Sequence, residues 1–447
     1  MGKELFGTDG IRGVAGEYPL DPRTVFAFGV ALGRDVSQAG PGAEILIGTD
    51  TRESGGWIAA TVAGGLETCG VRVRFAGVVT TPGVAYLTRI GPFRAGVMIS
   101  ASHNPYQDNG LKVFSHSGFK LPDEEEHEIE QEILRLRESE AEPATVALTV
   151  DESLAQQYAD YLASSVAVRF DGMKLALDCG NGASYRLAPE LFRRLGATVT
   201  AICVEPNGRN INLGCGALHL GKLQEAVVSG GQDFGVAFDG DADRAIFVAR
   251  SGKVVDGDAV LLTAGRALKA SGRLPGDTVV ATVMSNLGLE KALGREGIRM
   301  VRTPVGDKYV LEEMVRLGAA LGGEQSGHVI FRDYATTGDG MLTALRVLEI
   351  ARNAGAGLDE LTADLRVFPQ KLVNVRVKEK KALTEVPAVA EEIRRVEEAF
   401  AGSGRVLVRF SGTEPLARVM VEGPDLKDVE AYSESIAEII RRSMGAS

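Results

Sequence analysis

One pattern, met three times along the chain, limits what the chain can fold into. "AEILIGTD" runs through a polar turn into "GGWIAATVAGGLETCG" and "VRVRFAG"; "MKLALDCGNG" leads to "YRLAPELFRRLG" and "ATVTAICV"; "GDTVVATVMSN" leads to "LGLEKALGREG" and "IRMVRT". Each reads as an apolar strand, a turn, an amphipathic helix closed by a glycine (Gly70, Gly196, Gly297) and a β-branched second strand. Three such βαβ units require mainly parallel sheets covered by helices, and in those sheets ligands sit beyond the carboxyl ends of the strands. The turns after the strands are where function is to be sought.

At 447 residues, and with domains of roughly 100 to 200 residues, about three domains or four small ones are expected. A polar connector, "SEAEPAT", places one boundary near residue 150; a second falls near 255, after the strand pair "RAIFVARSGKVVD"; a third precedes "PQKLVNVRVKEK" near 368. The expected architecture is α/β in four domains, 1–150, 151–255, 256–368 and 369–447. The first three are related α/β domains with mixed, mainly parallel sheets, and the last is smaller and α+β. In the tail, the strands "RVLVRF" and "ARVMVEG" precede a helix from Asp425 that is expected to bury Leu426, Val429, Ile436 and Ile439 on one face. The run "PDEEEHEIEQEILRLRESE" begins with acids and ends with arginines, as suits a solvated helix matched to its dipole.

The apolar fraction of 45% and charged fraction of 24% are those of an ordinary globular protein. Glycine is the outlier, since 55 of 447 is about 12% against a usual roughly 7%, and glycine serves sharp turns and close approach to ligands. A net charge of -11 without a long basic run argues against nucleic acid or an anionic membrane as partner. No apolar stretch reaches the roughly 18 residues of a membrane span. "MGKELFGTDG" lacks the apolar core of a signal peptide, so a cytoplasmic location is expected. Cys69, Cys179, Cys203 and Cys215 show no C-x-x-C spacing, which points to reduced, structural thiols rather than a zinc site or a disulfide framework.

Chemistry concentrates in four loops. In "FDGDADRA", Asp239, Asp241 and Asp243 follow the strand "DFGVAF" at alternate positions, so in an extended chain their carboxylates project to one side. Three bare carboxylates repel, and a hard divalent cation such as Mg²⁺ resolves the repulsion; the alternative is a polar loop with aspartate as turn former. The EF-hand spacing fails, because its sixth position is Arg244 and its twelfth is Arg250. "RFSGTEPLAR" brackets Ser411, Gly412 and Thr413 with Arg409 and Arg418, offering guanidinium forks, hydroxyls and open backbone N–H groups to a phosphate. "GGEQSGHV" sets Glu324, Ser326 and His328 between glycines, where they suit sugar hydroxyls or merely form a turn.

The fourth loop, "SASHNPYQDNGLK", delivers Ser102 beside His103 from a strand into a proline-stopped turn. Adjacent residues on a turn seldom point at each other, and no G-x-S-x-G elbow occurs, so Ser–His hydrolysis is disfavoured. A phosphoryl group on Ser102 instead needs a metal and cations close by. The aspartate loop would supply the metal, and Arg244 or Lys112 the cations. His103 then shuttles a proton or orients the loop.

Together "FGTDGIRG", "SASHNPYQDNGLK", "DGDADR", "GEQSGH" and "RFSGTEP" resemble, in order and over essentially the whole chain, the α-D-phosphohexomutase superfamily. The first and fourth of these are similar to those of its bacterial phosphoglucosamine mutase group, which interconverts glucosamine 6-phosphate and glucosamine 1-phosphate for UDP-N-acetylglucosamine synthesis. The resemblance implies four domains around a central active-site cleft. It implies a phosphorylated catalytic Ser102, one Mg²⁺ held by Asp239, Asp241, Asp243 and the serine phosphate, and glucosamine 1,6-bisphosphate as intermediate and activator. By the same resemblance, Lys112 assists proton transfer, Arg12 and His103 lie near the reacting phosphate, and Glu324, Ser326 and His328 bind the sugar together with Arg244. The loop of Arg409, Ser411, Gly412, Thr413 and Arg418 holds the phosphate that is not reacting. Sugar phosphates are the implied partners, and a homodimer through the first domain is a further implication. Mannose or glucose phosphate as substrate, a phosphatase using Ser102 as transient nucleophile, and a sugar-phosphate binding protein without turnover remain the alternatives.

Overall fold

Each of the three repeats folds as a parallel β–helix–β unit in the computed structural model of the protein, which describes residues 5–7, 9–37, 42–138, 142–379, 386–410 and 415–445. The first sheet comprises β1 (Phe6–Gly7), β2 (Gly10–Val14), β3 (Glu44–Thr49), β4 (Arg72–Val78), β5 (Ala95–Ile99) and β6 (Asp108–Ser115), in the order β1-β2-β6-β5-β3-β4. The second comprises β7 (Lys174–Asp178), β8 (Thr198–Ile202), β9 (Phe234–Phe238), β10 (Ala245–Ala249) and β11 (Val254–Val255), in the order β11-β10-β9-β7-β8. The third is β13-β12-β14-β15, from β12 (Thr278–Thr282), β13 (Arg299–Thr303), β14 (Leu321–Gly323) and β15 (Val329–Phe331). The fourth is antiparallel, β16-β18-β17, from β16 (Gln370–Arg376), β17 (Arg405–Phe410) and β18 (Leu416–Glu422).

The first three sheets share one design. A strand runs parallel to the first strand of the repeat and turns back as an antiparallel neighbour: β5 into β6, β9 into β10 and β14 into β15. Three of the four loops singled out above are the connections of these pairs, so each lies at the carboxyl end of a parallel strand. The fourth connects β17 and β18.

The strands are held by burial. Ile45, Ile47, Val97 and Ile99 of the first sheet are fully buried against Phe28, Ile58, Val62 and Leu66 of helices Pro22–Ser37 and Gly55–Glu67. Each such side chain contributes about 1.5–3 kcal/mol by leaving water. The acidic run forms the helix Asp123–Arg137, with four acids in its first turn. It is not solvated all round. Ile129 and Ile133 face the core, and buried Glu130 Oε2 accepts the backbone N–H groups of Leu5 (2.7 Å) and Phe6 (2.9 Å). No helix among the described residues is long and apolar enough to cross a membrane.

The chain divides into two compact units, Met1–Met284 with Ile298–Ala363, and Ser285–Gly297 with Asp364–Ser447. The first three sheets lie in the first unit. In the second, the fourth sheet packs on helices Pro387–Phe400 and Leu426–Met444. Helix Leu287–Arg295 belongs to this unit too, tied through Asn286 Nδ2 to Phe368 O (3.0 Å) and through the Leu287 N–H to Glu422 Oε1 (2.9 Å). The buried stripe of the last helix runs Val429, Ser433, Ile436, Ile440. Ile439 is only partly buried against it, and Leu426 is exposed, because it opens the first turn after the Asp425 cap and points off the stripe.

Candidate functional site

Ser102 leaves the end of β5 in a left-handed conformation, φ 50°, which costs a residue with a side chain on the order of 1 kcal/mol or more. Its surroundings over-determine it. The Ser102 N–H donates to Ser100 Oγ (3.0 Å), and the Ser102 carbonyl accepts from Arg52 Nη2 (2.9 Å) and Asn212 Nδ2 (2.9 Å). Arg52 is fixed by Asp50 (2.9 Å), which also accepts from Ser100 Oγ (2.6 Å). Close approach completes the seat, since a Cβ on Gly240 would lie 2.4 Å from the Ser102 carbonyl oxygen.

The serine hydroxyl therefore reaches the aspartate loop. Ser102 Oγ donates to Asp239 Oδ2 at 2.5 Å and lies 3.3 Å from His103 Nδ1. The neighbouring serine and histidine do meet, contrary to the expectation for adjacent residues, because the left-handed turn folds one side chain over the other. His103 is neutral at physiological pH: partial burial, then the charges of Arg244 and Arg12, push its pKa down to about 4.

Asp239, Asp241 and Asp243 each bring a carboxylate oxygen within 4.8 Å of the others. They converge through a tight turn rather than an extended strand. β9 ends at Phe238, the Ala242 N–H donates to Asp239 O (3.1 Å), and Ala242 takes φ 55°. Asp241 is fixed by Lys112 Nζ (2.8 Å) and Thr81 Oγ1 (2.5 Å), and the Arg244 N–H donates to Asp239 Oδ1 (3.1 Å). Burial, then the charges of Asp243 and Asp241, hold the Asp239 carboxyl well above the ordinary range. Burial acts the same way on Asp241 but is outweighed by Lys112, so this carboxyl lies below its ordinary value. Asp241 Oδ1 and Asp243 Oδ1 are buried and accept no hydrogen bond among the described residues. Hard oxygen donors, mutual repulsion and unpartnered buried lone pairs together fit a divalent cation.

A chain of charges leads away from this cluster. Lys112, fully buried, reaches Asp9 Oδ2 (3.0 Å) as well as Asp241. Burial would lower its pKa, but Asp241, Asp9 and Asp243 outweigh burial and hold the ammonium protonated. Asp9 also pairs with Arg12 and with Lys120 Nζ (2.5 Å), and Lys120 reaches Asp307 Oδ2 (2.5 Å) at the start of helix Asp307–Leu317. Beside Asp307, the Gly306 N–H donates to Glu324 Oε1 (3.1 Å). Arg12, His103, Asp243, Arg244, Glu324 and His328 border one cavity of about 410 Å³.

Of the four residues expected to meet a sugar, Arg244, Glu324 and His328 line this cavity, whereas Ser326 is exposed and donates to Glu324 Oε2 (3.3 Å). His328 is buried, its Nε2 accepting the Gly338 N–H (3.2 Å) and lying 3.7 Å from Asp307 Oδ2. In the second unit, Arg409 of β17 and Arg418 of β18 are direct cross-strand partners. Burial and then Arg418 lower the Arg409 pKa. Ser411, Gly412 and Thr413 lie outside the described residues. Asp9, Lys120, Asp307, Arg52 and Asn212 were not singled out from the sequence. Asp9 sits inside the quoted "FGTDGIRG" and was the one within reach.

Comparison with known proteins fits this arrangement. Residues 3–140, 156–252 and 256–368 match the phosphoglucomutase/phosphomannomutase α/β/α domains I, II and III, and residues 372–439 match the C-terminal domain of that family. A phosphoglucosamine mutase of Solibacter usitatus is 74% identical over 445 residues, covering all of both chains. One from Koribacter versatilis is 53% identical over 458 residues, covering 99% of this chain and 98% of its own. Among solved structures, a phosphoglucomutase/phosphomannomutase family protein from Burkholderia thailandensis matches with a TM-score of 0.79 at 23% identity, over 98% of this chain and 97% of the other. The Aspergillus fumigatus N-acetylphosphoglucosamine mutase, solved in complex with GlcNAc-6P and magnesium, matches at 0.66 and 18% identity, over 100% and 96%. Those two likenesses show the fold. With four family domains matched in order and 74% identity from end to end, the chain belongs to the phosphohexomutase superfamily and, within it, to the bacterial phosphoglucosamine mutases.

Proposed function

We propose that this chain interconverts glucosamine 6-phosphate and glucosamine 1-phosphate through a phosphoryl group carried on Ser102. The observation that carries the mechanism is the seat of the Ser102 hydroxyl, 2.5 Å from Asp239 in a buried cluster of three carboxylates. The amino sugar rests on the names of the full-length relatives. In the first half-reaction, the P–O bond to Ser102 breaks as one forms to the free hydroxyl of the sugar monophosphate, whose proton leaves to a base. Glucosamine 1,6-bisphosphate results. The Ser102 oxygen, freed of phosphorus, takes up a proton. In the second, the bisphosphate has turned over, Ser102 gives up that proton as its oxygen bonds the other phosphoryl group, and the freed sugar oxygen regains a proton.

Asp239, Asp241 and Asp243, with an oxygen of the Ser102 phosphoryl group, would hold Mg²⁺, which when bound neutralises charge on the transferring phosphoryl. Arg12 and Arg244 border the same cavity and add fixed positive charge. His103 is the neutral base nearest the serine oxygen, and Lys112 remains an acid for as long as Asp241 and Asp9 hold it. Glu324, His328 and Ser326 take the sugar hydroxyls. Arg409, Arg418, Ser411, Gly412 and Thr413 take the distal phosphate. Arg409 and Arg418 stand directly opposite on adjacent strands, so two guanidinium forks are offered to one anion, which supports that role.

A coupled assay offering glucosamine 1-phosphate, glucose 1-phosphate and mannose 1-phosphate with Mg²⁺ tests the substrate. The amino sugar is expected to show the highest kcat/KM. A higher value for mannose or glucose phosphate would reassign the substrate, and steady release of inorganic phosphate would make the chain a phosphatase.

Lys120 ties Asp9 to the Asp307 turn that steadies Glu324. Lys120→Ala takes its lysine from the largely buried Asp307, while Asp9 keeps Lys112 and Arg12, at an expected cost of about 3 kcal/mol. KM for the sugar phosphate should rise more than kcat falls, because the loop is loosened while Ser102 keeps its seat. Thermal unfolding and steady-state kinetics read the two effects, and an unchanged KM would remove Lys120 from the positioning of Glu324.

A further inference from the structure

Among the described residues, one cluster outside the site described above brings metal-binding atoms together. Asp178 ends β7, Cys203 follows β8, and Cys215 lies in the segment that leads to β9. β7 and β8 pair in parallel, with Asp178 opposite Ile202, so the sheet itself sets Asp178 beside Cys203. Asp178 Oδ1 accepts the Gly180 N–H (2.9 Å) and Oδ2 the Gly216 N–H (3.0 Å), which draws Cys215 in as the third member. The two sulfurs and a carboxylate oxygen all lie within 4.8 Å of one another, with Asp178 and Cys215 buried and Cys203 half-buried.

We propose that Asp178, Cys203 and Cys215 bind one thiophilic divalent cation of the zinc class. Two thiolates and a carboxylate are a donor set suited to that class, and each carboxylate oxygen keeps a lone pair beyond the one used by its backbone N–H. Softness separates this site from the aspartate loop, because sulfur donors select zinc-like ions and all-oxygen donors select magnesium. The half-buried Cys203 gives the ion a route from solvent and leaves a fourth position for water. Cys203 takes φ 54°, a conformation that favours glycine, so the chain places a thiol here against backbone preference. On binding, both thiols lose their protons to solvent and no electrons change hands.

The site also touches the catalytic loop. The Asn212 N–H donates to Gly180 O (2.8 Å), on the same residue whose N–H binds Asp178, while Asn212 Nδ2 holds the Ser102 carbonyl. An ion that fixes Cys215 against Asp178 therefore stiffens the segment on which the Ser102 turn leans.

Cobalt(II) titration of the full-length, fully reduced protein, with excess Mg²⁺ present, tests the proposal. Oxygen sites give no sulfur-to-cobalt charge-transfer band, so the absorbance reports thiolate ligation alone. The expected result is a band saturating at one equivalent and abolished by zinc. Cys203→Gly puts the favoured residue at a left-handed position and is expected to fold. It should weaken cobalt binding by more than the roughly 10- to 100-fold that loss of an outer-shell partner costs. Cys215→Ala should do the same, while Cys69→Ser should leave the band intact. Absence of the band in the reduced wild type, or an undiminished band in Cys203→Gly, would overturn the proposal.

Discussion

Ser102→Ala is expected to remove mutase activity while leaving the fold in place. Removing an enzyme's nucleophile costs several orders of magnitude, so a fall of at least about 10³-fold in kcat is expected. The fold should survive because the turn is held by main-chain atoms of residue 102: its N–H on Ser100 and its carbonyl on Arg52 and Asn212. The hydroxyl contributes one hydrogen bond to Asp239, worth about 1 kcal/mol, and alanine adopts φ 50° no less readily than serine. Intact mass gives a second reading that a structural role would not move. Incubation with glucosamine 1,6-bisphosphate should add one phosphoryl group to the wild type and none to the variant. Substantial turnover by Ser102→Ala, or a phosphoryl group still gained, would move the chemistry to another residue.

Much of this site was legible because its parts are local. A strand, a turn and a helix are signalled within some twenty residues, so the three βαβ units stand out in the sequence and appear as parallel pairs. Each quoted loop carries its own reactive groups, and three of the four join a parallel strand to its antiparallel neighbour. What was hidden is what the tertiary fold alone brings together. Lys120 lies next to an apolar run and has no spacing that marks it, yet it bridges Asp9 and Asp307. Cys203 and Cys215 lack any ligand spacing; parallel pairing of β7 with β8 makes Cys203 a neighbour of Asp178, and the Gly216 N–H on Asp178 brings in Cys215. Alternate spacing rightly brought the three aspartates together but for the wrong reason, since a left-handed Ala242 gathers them in a turn. Glu130 looked like one solvated acid among many, and only the fold shows that it holds the N–H groups of Leu5 and Phe6.

Those gathered carboxylates store a repulsion that a cation relieves, and this sets the sign of the second large effect. Asp243→Asn is expected to make the metal-free protein more stable and the enzyme nearly inactive. Asp243 Oδ1 is buried without a hydrogen-bond partner among the described residues, and the Asp243 charge is, after burial, the largest cause holding Asp239 above the ordinary carboxylate range. When that charge is removed, Lys112 keeps Asp241 and Asp9 as partners, and Arg244, whose Nε lies 3.8 Å from Asp243 Oδ1, keeps the charges of Asp239, Glu324 and Asp241. Neutralising Asp243 should therefore add about 1 kcal/mol, a rise in Tm of roughly 1–2 °C in chelator. The pH dependence has a definite sign. A carboxyl raised above its unfolded value stabilises the fold fully below the unfolded pKa, and this contribution is lost as pH rises through the folded one. In chelator, the Asp239 contribution to wild-type stability should thus fall from acid toward neutral pH, opposite in sign to those of Asp9, Asp241 and Asp307, and the stability gained by Asp243→Asn over wild type should grow with pH. Adding Mg²⁺ should raise the Tm of the wild type at neutral pH and barely move that of the variant, whose kcat should fall by about 10²-fold or more. A variant less stable than wild type in chelator, yet still stabilised by Mg²⁺, would mean that Asp243 serves the fold and that the cation is held elsewhere. A gain in stability joined to a loss of activity would instead show that the three charges are kept together, against their own repulsion, for the metal.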